Sequence, residues 1–229
     1  MSTYVQLTDS LKTECGVSGA KLTTLANQVV EISRLAGWIN QAWLDIQEIH
    51  EDWFFLRQPF AFSTTAGQQS YTPTQAGIAV VPGLGVWKRD SVRLYSTALG
   101  VSNEMLMPYI GYDTFRDLWQ FGAMRTIQTR PTVFSIDPQF NFLLGAMPDD
   151  AYTVNGEYFQ APSQMAADID TPSLPVRWHN LIVYRAMQHY GMYEAAPEVL
   201  QRGQIEFAKM LARLQTQQLP KIIFGEPLC

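Results

Sequence analysis

The chain has 229 residues, 47% of them apolar, enough to bury a sizeable core and to exclude a wholly disordered protein. Only 16% are charged and 12% aromatic, with six Trp and ten Tyr, a balance that points to a subunit of an assembly, because aromatic residues concentrate where proteins meet. A formal charge of −5 without a Lys/Arg block excludes a dedicated nucleic-acid binder, and no apolar run approaches the roughly 18 residues of a membrane span.

The N-terminus, MSTYVQLTDSLKTE, lacks the basic start and apolar stretch of a signal peptide, so synthesis and first use in a cytosol are expected. Residues 3–14 place Val5, Leu7, Leu11 and Cys15 at spacings that suit a short amphipathic helix, which Gly16 and Gly19 end. A long helix follows over residues 27–53. Its stripe of Leu35, Trp38, Ile39, Ala42, Trp43, Ile46, Ile49 and Trp53 recurs every three or four positions, and Glu31, Arg34, Asn40, Asp45, Glu48 and Glu51 occupy the other face.

Beyond Trp53 the pattern turns to β. Residues 60–64 and 69–72 flank Ala66-Gly67 as a hairpin would, and residues 73–85 are Pro- and Gly-rich and read as a loop. Further strands are expected over residues 91–96, 104–110, 132–137, 140–144 and 152–160, with a tight turn at Asp137-Pro138-Gln139. Residues 112–121 read as one short helix with Phe115, Leu118 and Trp119 on a face. From Pro175 the helical period returns through Trp178, Leu181, Ile182, Ala186, His189, Tyr190 and Tyr193. Pro197 then opens a last helix, with Leu200, Gly203, Phe207, Met210, Leu211 and Leu214 inward.

This order predicts an α+β fold. The N- and C-terminal helices (residues 1–53 and 175–216) form a bundle, residues 54–174 are an inserted antiparallel β-rich region, and residues 217–229 are an extended C-terminal arm. Pro220 and Pro227 prevent regular structure in that arm while Ile222, Ile223, Phe224 and Leu228 stay apolar, so it either folds back on its own bundle or docks on a neighbour.

No constellation carries chemistry. His50, His179 and His189 are too scattered to ligate a metal, and His50-Glu51-Asp52-Trp53 lacks the second His of a zinc-protease helix. No Gly-x-Ser-x-Gly elbow is present, and Cys15 has no marked His partner. Cys15 and Cys229 form no disulfide framework and are expected as thiols. The residues 81–85 (VPGLG) lack the third Gly and the Lys-Ser/Thr of a phosphate loop and read as a rigid turn. Asp149, Asp150, Asp168 and Asp170 follow no calcium-loop pattern and read as solvated turns. The expectation is therefore a protein that is not an enzyme, with no cofactor and no metal.

The residues 4–19 (YVQLTDSLKTECGVSG) and 37–47 (GWINQAWLDIQ) resemble the N-terminal part of the head-to-tail adaptor (connector) proteins of tailed bacteriophages, short-tailed type. The resemblance continues through residues 111–116 (GYDTFR), 130–136 (RPTVFSI) and 156–159 (GEYF) before Pro162, and through 170–175 (DTPSLP) into 178–183 (WHNLIV), covering nearly the whole chain in order. It implies a ring of identical subunits beneath the portal of the filled head, with a helical wall, a β region facing tail or nozzle proteins, and a C-terminal segment reaching along the portal. On that reading Pro220, Ile222, Ile223, Phe224, Pro227 and Leu228 are the portal-binding candidates. Glu31, Asp45, Glu48 and Glu51 are candidates to face a channel through which DNA passes without sequence-specific binding, since few cations meet its phosphates. The expected location is the virion, assembled in the host bacterial cytoplasm, with no membrane partner. Alternatives are another tail component, such as a nozzle or fibre-attachment protein, or a small cell-wall hydrolase using Glu48 with Glu51.

Overall fold

In a computed structural model, which describes residues 2–220, the elements run in the order helices, strands, helices. Helices α1 (Tyr4–Glu14) and α2 (Val30–Glu48) come first, followed by strands β1 (Arg57–Ser63), β2 (Ser70–Tyr71), β3 (Leu84–Ser96) and β4 (Met105–Leu106). A single helical turn α3 (Tyr112–Phe115) precedes β5 (Val133–Ile136), β6 (Phe142–Gly145) and β7 (Tyr152–Gln160), and the helices α4 (His179–Tyr193) and α5 (Pro197–Gln218) close the order. The fold class is mixed α+β with antiparallel sheets and a C-terminal helix. The chain divides into two units, Met1–Leu56 with Pro162–Cys229, and Arg57–Ala161.

In the first unit α1, α2 and α4 pack on one another, and α5 packs on α4. Thr3 and Gln6 form a capping box that starts α1. Of the α2 stripe, Leu35, Ile39, Ala42, Trp43 and Ile46 are buried, Trp38 is half-buried, and Ile49, just past the last helical residue, is exposed. The helix is shorter than residues 27–53, however. Asn27 sits at φ 55 and belongs to the preceding turn, and the helix stops at Glu48 because Trp53 folds back on it. The Trp53 indole donates to the Ile46 carbonyl at 3.0 Å, one of the terminal carbonyls that lack a helical partner. The α4–α5 contact depends on two glycines. A Cβ on Gly191 would stand 2.8 Å from the Leu200 backbone nitrogen, and one on Gly203 would stand 3.0 Å from the Tyr184 carbonyl oxygen. Close approach, more than side-chain burial, seats α5. Gly203 and Leu214 are its buried residues, whereas Leu200, Phe207, Met210 and Leu211, expected inward, are half-buried. The helix runs through Gln218, so the first two residues of the expected arm are helical.

The second unit packs a four-stranded sheet, order β1-β7-β3-β4, against a three-stranded sheet, order β2-β6-β5. Aromatic rings from both sheets meet in its core. Phe62 touches Tyr71 and Phe142, Trp87 touches Phe142, and Phe134 stacks on Phe142 with ring centroids 4.9 Å apart. Residues 60–64 and 69–72 do not form a hairpin. The turn between them is pinned by the Tyr71 hydroxyl, which accepts from the Thr65 N–H at 2.9 Å, and it hands the chain from one sheet to the other. The partner of β1 is therefore β7, and that of β2 is β6. The expected loop 73–85 is shortened because β3 begins at Leu84. Gly85 permits this start, since a Cβ there would lie 2.9 Å from the Gln160 carbonyl oxygen.

Three other elements of this unit differ from expectation. Residues 104–110 cross between the sheets, pairing at Met105–Leu106 and again where Ile110 N–H donates to Phe134 O. The helix over residues 112–121 becomes α3 followed by a π-helical turn, Arg116–Gln120, which alters the side-chain phase and leaves Leu118 53% exposed. Finally, β6 starts at Phe142 because Phe140, at φ 64, belongs to the turn. There the Asp137 carboxylate accepts from the N–H groups of Gln139 and Asn141.

Candidate functional site

The residues that chemistry would use are engaged in holding the fold. His179 is buried, accepting from Ser2 N–H on Nδ1 at 3.2 Å and meeting Leu174 O through Nε2 at 2.9 Å, which fixes a neutral ring. Burial pushes its pKa below the usual histidine value, against the hydrogen bond to Leu174. His50 meets Gln215 Nε2 at 2.9 Å and packs edge-on against Trp53. His189 meets Asp45 Oδ2 at 3.0 Å. Cys15 is half-buried, and burial, with Glu14 beside it, pushes its thiol up to about 12, which favours the protonated form over the thiolate. Among the described residues no group of three or more His, Cys, Asp or Glu converges as a metal site.

The acidic residues also have local roles. Asp168 accepts from Leu25 N–H at 3.0 Å and from the Thr24 hydroxyl at 2.6 Å. Asp170 accepts from the N–H groups of Ala166 and Ala167, which hold its carboxyl below the usual range. Asp149 accepts from the Tyr152 hydroxyl at 2.7 Å, and Asp150 accepts from Ala151 N–H at 2.7 Å. On the second unit a cavity of about 720 Å³ is lined by Arg57, Lys88, Arg93 and Glu157. Its cations are all matched: Arg57 with Glu157, Lys88 with Asp90, and Arg93 with Glu104.

Of the candidate channel-facing residues, Glu31 and Glu48 are exposed on α2, and Glu51 is exposed in the turn after it. Asp45 is not free in the same way. It receives Gln41 Nε2 at 2.9 Å, Arg185 Nε at 2.8 Å and His189 Nε2 at 3.0 Å. Burial alone would raise its pKa, but these partners prevail and hold it below the usual carboxylate range. Pro220 is exposed at the end of the described chain, while Ile222, Ile223, Phe224, Pro227 and Leu228 lie outside the described residues.

Two side chains with a structural role escaped the sequence reading. Asn40 exchanges hydrogen bonds with the backbone of Met165, accepting from its N–H at 3.0 Å and donating to its carbonyl at 2.9 Å. Gln47, two turns later on α2, does the same with Ser163 at 3.1 and 3.0 Å. Together they hold an extended segment as a neighbouring strand would. The available signal was a pair of amides seven residues apart beside the apolar stripe, a spacing that puts both on one helix face.

Several large apolar side chains remain at the surface. In the first unit Val29, Val30, Met192, Tyr193 and Ile205 are exposed, and the Arg34 guanidinium lies 4.3 Å from the centre of the Tyr193 ring. In the second, Leu118, Phe121, Met124 and Ile127 are exposed along one excursion outside the sheets. Side chains of this kind, aromatic and Arg together, suit association with other proteins. No described helix is long and apolar enough to cross a membrane.

No curated protein matches the chain. The model of the SU10 adaptor protein family, by contrast, matches residues 2–222. The match covers nearly the whole of this sequence, and it agrees with a surface suited to association and with imidazole groups engaged in the fold. The chain belongs to the SU10 adaptor protein family, a family of phage head-to-tail adaptors, and is a structural component of the virion.

Proposed function

We propose that copies of this chain assemble as a ring beneath the portal of the filled head, join it to the tail or nozzle proteins, and line the channel through which DNA leaves. The observation that carries this reading is the family match across residues 2–222. Assembly is the mechanism, and no reaction is involved. The exposed Val29, Val30, Met192, Tyr193 and Ile205 of the helical unit, with Arg34 over the Tyr193 ring, support it, because a subunit that covers its flanks in a ring tolerates apolar groups there. The few charges of the chain, net −5, support a lumen along which DNA slides without sticking. Glu31, Glu48 and Glu51 are the channel-facing candidates; Asp45, engaged by Arg185 and His189, contributes less free charge.

The residues after α5 are the portal-docking arm in this proposal, with Pro220, Ile222, Ile223, Phe224, Pro227 and Leu228 in contact with the portal. The particle is assembled in the host bacterial cytoplasm. Deleting residues 219–229 tests the arm, since this cut spares the whole of α5. The truncated chain keeps its circular dichroism and loses binding to purified portal rings. Undiminished portal binding by the truncated chain would overturn the arm.

A further inference from the structure

Lys12 is 5% exposed, yet no carboxylate pairs with it among the described residues, whose lysine ion pairs belong to Lys88 and Lys209. Its Nζ donates to the carbonyl oxygens of Gly19, at 2.8 Å, and of Ala20. Those contacts use two of the three N–H groups of an ammonium. A buried charge is stable when a counter-charge or a full set of hydrogen bonds compensates its lost hydration, and among the described residues one donor of Lys12 and its charge have no partner. Lys12 is also among the residues that line a cavity of about 330 Å³.

A second feature, independent of the lysine, borders this cavity. Val29, Glu31 and Ile32, the start of the 19-residue helix α2, line it as well. Val29 occupies the N-cap and has no side chain that can accept, so the N–H groups of Val30, Glu31 and Ile32 have no partner among the described residues. The free N–H groups and the positive end of the helix dipole favour an anion at this end. Lys21 lines the cavity too, giving two cations against the one carboxylate of Glu31, in a chain whose net charge is negative.

We infer that this cavity binds an oxyanion, a carboxylate or phosphate group, held by the third N–H of Lys12 and the free N–H groups of α2. The inference is independent of the adaptor reading. The anion comes either from solution or from an acidic side chain of a second copy, and the test separates these sources. Thermal unfolding of the full chain is followed in potassium phosphate and in potassium chloride of equal ionic strength, with sedimentation velocity in both.

Phosphate raises the unfolding midpoint by about 2–4 °C at several times its dissociation constant. Lys12→Met abolishes the rise. Val29→Asp abolishes it too, while unfolding no earlier than the unaltered chain, because an Asp at the N-cap supplies the carboxylate from within; this variant guards against misfolding of the first. An unchanged sedimentation coefficient assigns the anion to solution. Self-association in chloride that phosphate or Val29→Asp reverses assigns it to a second copy. The absence of both a phosphate-specific rise and a phosphate-sensitive association, or a rise that survives in Val29→Asp, would overturn the site.

Discussion

The two units keep their shape by different means. In the helical unit, an extended return segment is fixed by side-chain groups reaching from far away in sequence: Asn40 to Met165, Gln47 to Ser163, and Asp168 to Leu25. These bonds are directional, and each also satisfies backbone groups that have no sheet to join. The β unit instead fills the space between two sheets with aromatic rings, Phe60, Phe62, Tyr71, Trp87, Phe134 and Phe142, which bury large apolar areas against one another. The difference teaches that irregular backbone is specified by polar complementarity and regular backbone by volume, so equal disturbances should have unequal costs in the two places.

The largest effect is expected in the aromatic core. Phe142 is fully buried and touches Phe60, Phe62, Trp87 and Phe134, so Phe142→Ala should cost about 3–5 kcal/mol, read as a lower denaturant midpoint by Trp fluorescence. A loss below about 1 kcal/mol would mean that the core repacks freely. Next comes the polar clamp. Gln47→Glu keeps the side-chain shape and the acceptor but removes the donor to Ser163 O and buries a charge. It should cost about 2–4 kcal/mol by far-UV dichroism in urea, and a neutral result would dismiss the clamp.

Gly191→Ala tests close approach between α4 and α5. The added Cβ meets the Leu200 backbone, which cannot rotate away, so about 1–3 kcal/mol should be lost. An unchanged midpoint would show that the helices shift apart without penalty. The smallest effect belongs to Asp45. Its pKa is depressed in the folded chain, so its contribution is present above the unfolded value near pH 4 and disappears as the pH falls through the folded value. Asp45→Asn should remove this acid-side loss while costing at most about 1 kcal/mol near neutrality. An identical acid profile in the variant would assign the loss to other carboxylates.

Much of the architecture was legible because burial imposes periodicity. The α2 stripe announced itself through Leu35, Ile39, Trp43 and Ile46, and β7 through residues 152–160. What was not legible depended on long-range contacts. Residues 60–64 and 69–72 read as a hairpin locally, but nothing nearby reveals that Tyr71 turns the chain towards another sheet. Leu118 seemed to share a helix face with Phe115, and the π turn removed it. Asn40 falls among the polar positions of the α2 pattern, although a half-buried amide with two matched partners satisfies the same chemistry. Of the site candidates, the surface positions Glu31 and Glu48 were legible from helix phase. The engagement of Asp45 was not, because Arg185 and His189 lie on a helix remote in sequence. The burial of Lys12 also went unread, since its carbonyl partners follow a glycine turn.

The central claim, that this adaptor caps the portal as a ring, is tested most directly by cosedimenting the purified full chain with purified portal rings and imaging the pellet by negative-stain electron microscopy. The account predicts one additional layer of density on one end of the portal, with rotational symmetry. A well-folded chain that stays in the supernatant, leaving the portal bare at both ends, would contradict it.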